Sequence, residues 1–233
     1  MNAILSVQGL KKNIGKKQVL KGLDFDLGPG RVVGLLGPNG SGKTTLLKTL
    51  VNIYHANAGD IRIFGEQVGC GTKKYVSYMP ETNHLFNWMS VQDAIHYYRD
   101  FFSDFDLGCA KELCAFLNIN EKEKIASLSK GKKEQALIML TFSRKTHLYL
   151  LDEPIGSIDP LARNKIIKTI FKEFNPERTV IISTHQVKDV ETLLDDVLFL
   201  GDGKLVFSGH VDDIRETRGQ SVEECYMEVF ENA

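Results

Sequence analysis

The clearest chemistry in the sequence lies in a glycine-rich run over residues 37–44, which reads Gly-Pro-Asn-Gly-Ser-Gly-Lys-Thr. An apolar segment precedes the run and a segment with helical spacing follows it, which is the setting of a phosphate-binding loop. Glycines let consecutive backbone N–H groups surround phosphate oxygens, and the positive end of the helix dipole favours the same anion. Lys43 can reach the β- and γ-phosphates, and the Thr44 hydroxyl can ligate Mg²⁺. The predicted nucleotide contacts are Gly37, Pro38, Asn39, Gly40, Ser41, Gly42, Lys43, Thr44 and Thr45.

Two acidic residues end another apolar run, which reads Leu-Tyr-Leu-Leu-Asp-Glu-Pro over residues 148–154. A carboxylate at the carboxyl end of a strand lies in the crevice where open α/β sheets bind ligands. Asp152 is therefore a candidate Mg²⁺ ligand, and Glu153 can accept a proton from an attacking water. Taken alone, the acidic pair is typical of a surface turn, and the phosphate-binding loop is what favours the chemical interpretation.

The segments around these residues alternate between strand and helix patterns. Residues 31–36, 147–151 and 179–183 are apolar runs typical of strands buried on both faces. Residues 23–27 alternate apolar and acidic side chains, which predicts a strand with one buried face. Residues 43–51 have helical spacing. Strands separated by helices predict a parallel sheet with crossover connections, and hence an α/β fold.

Residues 82–144 interrupt this alternation because their spacing is helical throughout. Ser90 and Asp93 have the spacing of a capping box at the start of a helix. Val91, Ile95, Tyr98 and Phe102 then share one helical face. After the interruption, residues 161–174 form an amphipathic segment. The sequence therefore predicts an α/β core with a helical insertion.

The composition is that of an ordinary globular protein. The chain has 233 residues, 42% of them hydrophobic and 25% charged, with a formal net charge of −1. These values exclude disorder as the main state, and they give no overall basic surface for nucleic acid. Apolar runs fall far short of a membrane span, no secretory signal pattern is seen, and four cysteines match neither a zinc nor a disulfide pattern. We expect an intracellular protein with reduced thiols.

The order of these motifs resembles the ATP-binding cassette (ABC) ATPases, the nucleotide-binding subunits of ABC transporters, over nearly the whole chain. Residues 37–44 resemble the Walker A motif, and residues 148–153 the Walker B motif with its catalytic glutamate. Residues 153–160 resemble the D-loop with Asp159, and His185 matches the switch histidine. Leu-Ser-Lys-Gly at residues 128–131 resembles the signature motif. The signature and the switch histidine narrow the resemblance from P-loop NTPases in general to this family.

The resemblance implies an α/β fold with a RecA-like P-loop NTPase core, an N-terminal antiparallel β subdomain and an inserted α-helical subdomain. It implies that residues 1–233 form a single cassette. Residues 1–81 and 145–233 would form the α/β core with the β subdomain, and residues 82–144 would form the helical subdomain that carries the signature. It implies ATP and Mg²⁺ as cofactors, with Glu153, His185 and Lys43 as catalytic residues.

The resemblance also implies partners and a location. Two cassettes pair head to tail around two ATP molecules, and Ser129 and Gly131 of each approach the γ-phosphate held by the other. The pair can be a homodimer or a heterodimer, and it serves a separate transmembrane permease from the cytoplasmic face of the cell membrane. Transport specificity then resides in the permease.

Three positions depart from the family pattern. Ile14 stands where an aromatic residue usually stacks on adenine, and Glu81 stands where a glutamine is usual. Glutamate can still ligate Mg²⁺, so Thr44, Asp152 and Glu81 are the predicted metal ligands. A glutamate at position 81 also resembles the pattern of cassettes that serve mostly exporting permeases. Lysines interrupt the signature at Lys130, Lys132 and Lys133. One interpretation is that these lysines form a solvated charged face. The other is that the phosphates of a partner's ATP would offset the unfavourable interaction between these cations and the helix dipole.

Aromatic residues in the insertion leave two interpretations open. Tyr97, Tyr98, Phe101, Phe102 and Phe105 are expected to pack within it, but some of them could join Leu85, Phe86 and Trp88 in an exposed groove for a permease.

Two other functions also stay open at this point. One is a soluble ABC ATPase that acts on DNA or ribosomes, and the other is a regulatory cassette without hydrolysis. The single cassette and the retained Lys43 and Glu153 favour the transporter interpretation, with a slight preference for export.

Overall fold

The computed structural model describes residues 3–154 and 177–231, in which two β-sheets organise the chain. The first sheet is antiparallel, with strand order β2-β1-β4-β5. Its strands are β1 (Leu5–Ile14), β2 (Lys17–Leu27), β4 (Ala58–Ile63) and β5 (Glu66–Gln67). The predicted strand at residues 23–27 is confirmed as the second half of β2.

The second sheet carries the predicted buried strands, in the order β10-β9-β3-β8-β7-β6. Its strands are β3 (Val32–Leu36), β6 (Val76–Met79), β7 (Leu148–Asp152), β8 (Thr179–Thr184), β9 (Asp196–Gly201) and β10 (Lys204–His210). All neighbouring pairs from β9 to β6 are parallel, and β10 is an antiparallel edge strand. The predicted parallel sheet is therefore confirmed.

Strand β7 shows why these apolar runs lack a polar alternation. Leu148 and Leu150 pack into the core shared with the antiparallel sheet, whereas Tyr149 and Leu151 pack into the core shared with the inserted helices. All four side chains are buried. A strand covered on both faces has no solvent side, so its sequence is apolar throughout.

Six α-helices are described, and three of them lie between β6 and β7. Their bounds are α1 (Lys43–Leu50), α2 (Val91–Phe101), α3 (Leu107–Phe116), α4 (Lys130–Phe142), α5 (Val211–Arg218) and α6 (Val222–Glu231). Helices α2, α3 and α4 confirm the predicted helical insertion, while its division from the core at residues 81/82 and 144/145 stays a prediction. None of the described helices is long and apolar enough to span a membrane. The predicted amphipathic segment at residues 161–174 lies outside the described residues.

The start of α2 confirms the predicted capping box. The Ser90 hydroxyl accepts the Asp93 N–H at 3.1 Å, and the Asp93 carboxylate accepts the Ser90 N–H at 2.8 Å. Val91, Ile95 and Tyr98 are buried below it, and Phe102 packs against the same core. The two orphan donors satisfied here and the apolar face explain why the helix begins at Val91.

The aromatic residues of the insertion divide between the core and the surface. Tyr98, Phe102 and Phe105 pack together, as predicted. Tyr97 and Phe101 are instead exposed, as the second interpretation allowed, and they contact each other with ring centroids 4.5 Å apart. These two residues are four positions apart along α2, so they share a face, and that face is turned away from the core side of Ile95 and Tyr98.

Candidate active site

Four parallel strands deliver their carboxyl ends to one edge of the larger sheet, and the predicted site residues follow those ends. The glycine-rich loop follows β3, Glu81 lies just beyond β6, Glu153 follows β7, and His185 follows β8. They border a cleft of about 860 Å³. The predicted residues lining it are Asn39, Gly40, Gly42, Lys43, Thr44, Thr45, Glu81, Glu153 and His185.

The glycines of the loop occupy positions that a side chain would not tolerate. Gly42 is the N-cap of α1 and has a φ of +112°, which L-residues rarely adopt. A Cβ at Gly37 would lie 2.2 Å from the carbonyl oxygen of Leu200 on β9. The adjoining Ser41 has a buried hydroxyl oxygen with no hydrogen-bond partner among the described residues. The loop thus combines a forced backbone path, an unpaired buried polar atom and a helix N-terminus, which fits a phosphate group.

Lys43 places its ammonium group against this loop, although only 7% of its side chain is exposed. The ammonium donates to the carbonyl oxygens of Gly37 at 2.7 Å and Pro38 at 3.3 Å. It also lies 3.8 Å from a carboxylate oxygen of Glu153. Burial lowers the pKa of Lys43, and the nearby carboxylates of Glu153, Asp152 and Glu81 oppose that shift. The protein therefore surrounds one buried cation with hydrogen-bond acceptors and negative charge.

Asp152 is fully buried at the end of β7, and its carboxylate accepts hydrogen bonds from three hydroxyl groups. One oxygen accepts from Thr44 at 3.1 Å and from Ser183 at 2.6 Å. The other oxygen accepts a long bond from Tyr78 at 3.5 Å. Burial, followed by the charge of Asp152, raises the pKa of Tyr78, so the phenol stays a donor. Residues from α1, β8 and β6 thus fix the position of this carboxylate.

Glu153 leaves β7 in an unusual backbone conformation, with a φ of +48°. Its N–H donates to the carbonyl oxygen of Ser183 at 3.1 Å and to the Ser183 hydroxyl at 3.2 Å. Its carboxylate accepts from the Thr184 hydroxyl at 3.2 Å, and its other oxygen lies 2.9 Å from Nδ1 of His185. The side chain is 15% exposed, so the carboxylate borders the cleft while the backbone is held by β8.

The oxygen donors at this edge suit a magnesium ion that is shared with phosphate. Thr44 and Asp152 are in direct contact, and Glu81 lines the same cleft. Within residues 3–154 and 177–231, no group of three His, Cys, Asp or Glu side chains is arranged to hold a metal by itself. Mg²⁺ commonly takes one or two carboxylates together with substrate phosphates, and this donor set matches that preference.

Three predicted contacts lie apart from the cleft in the described part of the chain. Ile14 ends β1 and is 45% exposed, and Val19 on the next strand lines the cleft instead. Ser129 is the exposed N-cap of α4, and its hydroxyl accepts the Lys132 N–H at 3.3 Å. Gly131 lies in the first turn of that helix, while Lys130 reaches the cleft wall. Asp159 lies outside the described residues.

Three side chains at the site were not singled out from the sequence: Tyr78, Ser183 and Thr184. All of them are hydroxyl residues at or near the carboxyl end of a strand in the larger sheet. The sequence signal that could have revealed them is position, because neighbouring parallel strands end at the same edge. A hydroxyl at the end of one strand is therefore within reach of an acid at the end of the next.

Known proteins with similar sequences point to one family. The family described as "ABC transporter" matches residues 20–156. YtrB of Bacillus subtilis, an ABC transporter ATP-binding protein, is 31% identical over 91% of this chain and 74% of its own length. The Nod factor export ATP-binding protein I of Ralstonia nicotianae is 27% identical over 88% of this chain and 67% of its own length.

A solved structure of the ATP-binding subunit of an ABC transporter has the same fold. Its TM-score with this chain is 0.87 at 25% identity, covering 97% of this chain and 99% of that one. The predicted P-loop NTPase core with an antiparallel β subdomain and an inserted helical subdomain is confirmed. The chain belongs to the ABC transporter ATP-binding family, whose members bind and hydrolyse ATP to power transport.

Proposed function

We propose that this chain binds ATP at the cleft beside residues 37–44 and hydrolyses it in a head-to-tail pair of cassettes that powers a separate permease. The observation that carries the proposal is the convergence of one buried cation and two differently held carboxylates on a glycine loop. Lys43 at the start of α1 lies 3.8 Å from Glu153, and Thr44 beside it donates to Asp152, so α1 meets both acids at the end of β7.

The loop and its lysine are suited to bind the triphosphate. Backbone N–H groups of the glycine loop after Pro38 and the N-terminus of α1 would face the phosphate oxygens, with the Lys43 ammonium as the cation. Thr44, Asp152 and Glu81 would hold Mg²⁺, which neutralises charge on the β- and γ-phosphates when it is bound. Val19 on β2 lines the cleft and offers an apolar surface to the base, in place of the predicted Ile14 on β1.

Glu153 is suited to act as the general base. Its carboxylate borders the cleft and can accept a proton from a water that attacks the γ-phosphate. The Thr184 hydroxyl and His185 fix the two oxygens of that carboxylate, so its orientation is set before the substrate arrives. The Lys43 ammonium lies 3.8 Å from this carboxylate, on the side of the phosphate-binding loop.

A second copy or a related cassette would complete the site. Ser129 and Gly131 lie apart from the cleft of their own chain, and Ser129 is exposed. This placement supports the proposal that the signature contacts the γ-phosphate held by the partner cassette. Asp159 of the D-loop is assigned to the same interface by the family resemblance.

A permease partner and an export direction are supported by two different observations. Phe86 and Trp88 are exposed and stacked, with ring centroids 5.9 Å apart, just beyond Glu81. Such a pair suits an apolar contact with a membrane partner at the cytoplasmic face. Among the relatives, the Ralstonia nicotianae protein is named for Nod factor export and LnrL of Bacillus subtilis for linearmycin resistance. The named relatives favour transport over action on DNA or ribosomes, and export over import.

Glu153→Gln tests the proposed hydrolysis and also the alternative of a regulatory cassette without turnover. The variant keeps the side-chain shape but removes the proton acceptor, so we expect turnover to fall about a hundredfold or more. ATP affinity, measured by calorimetry, should stay within about twofold because the loop and Lys43 are unchanged. Glu66→Gln on β5, a carboxylate in the antiparallel sheet, is the matched control and should leave turnover unchanged. Turnover at the wild-type rate in Glu153→Gln would refute the proposed mechanism.

A further inference from the structure

One side chain, Ser183, contacts both acidic residues of the proposed catalytic pair. Ser183 is fully buried in β8 and lies opposite Asp152 in the register of the β7–β8 pair. Its hydroxyl donates to the Asp152 carboxylate at 2.6 Å. The same oxygen accepts the backbone N–H of Glu153 at 3.2 Å. A single hydroxyl group therefore bridges the predicted metal ligand and the proposed base.

The directions of these two hydrogen bonds are fixed by chemistry. An ionised carboxylate only accepts and a backbone N–H only donates, whereas a hydroxyl has one proton and two lone pairs. Ser183 must therefore give its proton to Asp152 and use a lone pair for Glu153. Neither a carbonyl oxygen nor an aliphatic side chain at this position could make both bonds.

The bridge lies where the backbone needs support. Glu153 has a φ of +48°, a left-handed conformation that non-glycine residues rarely adopt and that the surrounding structure must stabilise. This turn carries its carboxylate away from β7 toward Thr184 and His185. Both acceptors of the Glu153 N–H belong to Ser183, one from its backbone and one from its side chain.

We infer that Ser183 is a positioning residue for hydrolysis, whose hydroxyl locks the Glu153 turn to the Asp152 carboxylate so that the base stays aligned with the metal site. The inference rests on the proposed role of Glu153. Ser183 itself touches no reacting atom, because it is fully buried behind the two acids. Its contribution should appear in the rate of the chemical step and not in the binding of ATP.

Ser77 supplies a matched control for a serine whose role is only structural. It is also buried in the larger sheet, on β6, and its hydroxyl donates to the carbonyl oxygen of Thr141 at 2.9 Å. That bond joins β6 to α4 and involves neither acidic residue. Ser77→Ala and Ser183→Ala both remove a hydroxyl group from a buried position. A difference in kcat between the two variants therefore measures the contribution of the hydrogen bonds that Ser183 makes to Asp152 and Glu153.

The experiment measures kcat and KM for ATP, together with the thermal midpoint of unfolding, in both variants. We expect Ser183→Ala to lower kcat about tenfold, as befits loss of a hydrogen bond to a charged group, with KM within about twofold. Ser77→Ala should leave kcat within about twofold. Its thermal midpoint of unfolding should nevertheless fall by about as much as that of Ser183→Ala. Ser183→Cys keeps nearly the same volume with a weaker donor and should also lose kcat, which guards against a folding defect in the alanine variant.

A double variant separates this inference from the function on which it rests. If Ser183 acts through Glu153, adding Ser183→Ala to Glu153→Gln should lower the residual kcat by less than about twofold. A further tenfold loss there, a wild-type kcat in Ser183→Ala, or an equal loss in Ser77→Ala would each overturn the inference. A normal rate in Glu153→Gln would instead overturn the proposed function itself, and the Ser183 assignment with it.

Discussion

The acids at the end of β7 and the signature at the start of α4 are two regions of the proposed site that differ in how their charges are satisfied. At the strand ends, Asp152 is fully buried and Glu153 nearly so. Their carboxylates accept hydrogen bonds from Thr44, Ser183 and Thr184, all within the same chain. This region is complete before any ligand or partner is added.

The start of α4 is left incomplete by its own chain. Ser129 and Lys130 are exposed there, at the end of a helix whose dipole is positive. Lys132 turns back and donates to the carbonyl oxygens of Leu117 and Asn118 at the end of α3. In the described part of the chain, the ammonium groups of Lys130 and Lys133 make no hydrogen bond or ion pair of this kind. An approaching anion would offset the positive charge at this end.

The difference concerns which charges a single chain satisfies by itself. Asp152 and Glu153 at the end of β7 find donors on α1 and on the neighbouring strand β8, because the sheet brings them within reach. The cations at the N-terminus of α4 would instead be satisfied by a triphosphate. The comparison therefore supports a division in which one cassette supplies the chemistry and another supplies the closing contact.

Lys43→Ala is expected to have the largest effect, because it breaks the completed region. The substitution removes the buried cation that faces the loop, and we expect ATP to bind about a hundredfold more weakly, equivalent to about 3 kcal/mol. Lys48→Ala, on the next turn of α1 and facing Tyr54, is the matched control and should bind ATP normally. Titration calorimetry measures both affinities. Equal affinity in Lys43→Ala and the wild-type protein would contradict the assignment of the phosphate-binding loop.

Lys130→Ala should have a smaller effect of a different kind, and it sharpens the comparison at the signature. Removing a cation from a helix N-terminus should raise the free energy of unfolding by about 0.5 kcal/mol without ATP. In the Glu153→Gln background, it should weaken ATP-dependent dimer formation about fivefold, because one charge that faces phosphate is lost. Chemical denaturation measures the first quantity and sedimentation measures the second.

Lys132→Ala is the control for Lys130→Ala. It removes two hydrogen bonds to the end of α3, so it should lower the free energy of unfolding. Lys130 also lines the cleft of its own chain. The affinity of the monomer for ATP therefore decides whether this lysine contacts the ATP in its own cleft or the ATP held by a partner cassette. A loss of monomer affinity with unchanged dimer formation would place Lys130 in its own cleft and contradict the division between the two regions.

The sequence predicted most of the elements because each has a local signature, and it placed the glycine loop and the two acids at strand ends, where they lie in the structure. The apolar runs of β7 and β8 and the capping box of α2 were predicted correctly, since burial and capping depend on nearby residues. Ser183 and Tyr78 escaped prediction because their role depends on which strands are neighbours, and strand order is not written in any one segment. The sequence left the burial of Tyr97 and Phe101 open, because an aromatic residue on a helix predicts burial only when its face is known.

The central claim is that two cassettes close on ATP, and the oligomeric state of Glu153→Gln tests it most directly. With Mg-ATP in size-exclusion chromatography, this variant should run as a dimer while the wild-type protein runs mainly as a monomer, because hydrolysis is what reopens the pair. Adding Ser129→Arg places a bulky side chain at the exposed N-cap of α4 and should return the variant to a monomer with ATP affinity unchanged. A Glu153→Gln protein that binds Mg-ATP and stays monomeric, or a dimer that survives Ser129→Arg, would contradict the claim.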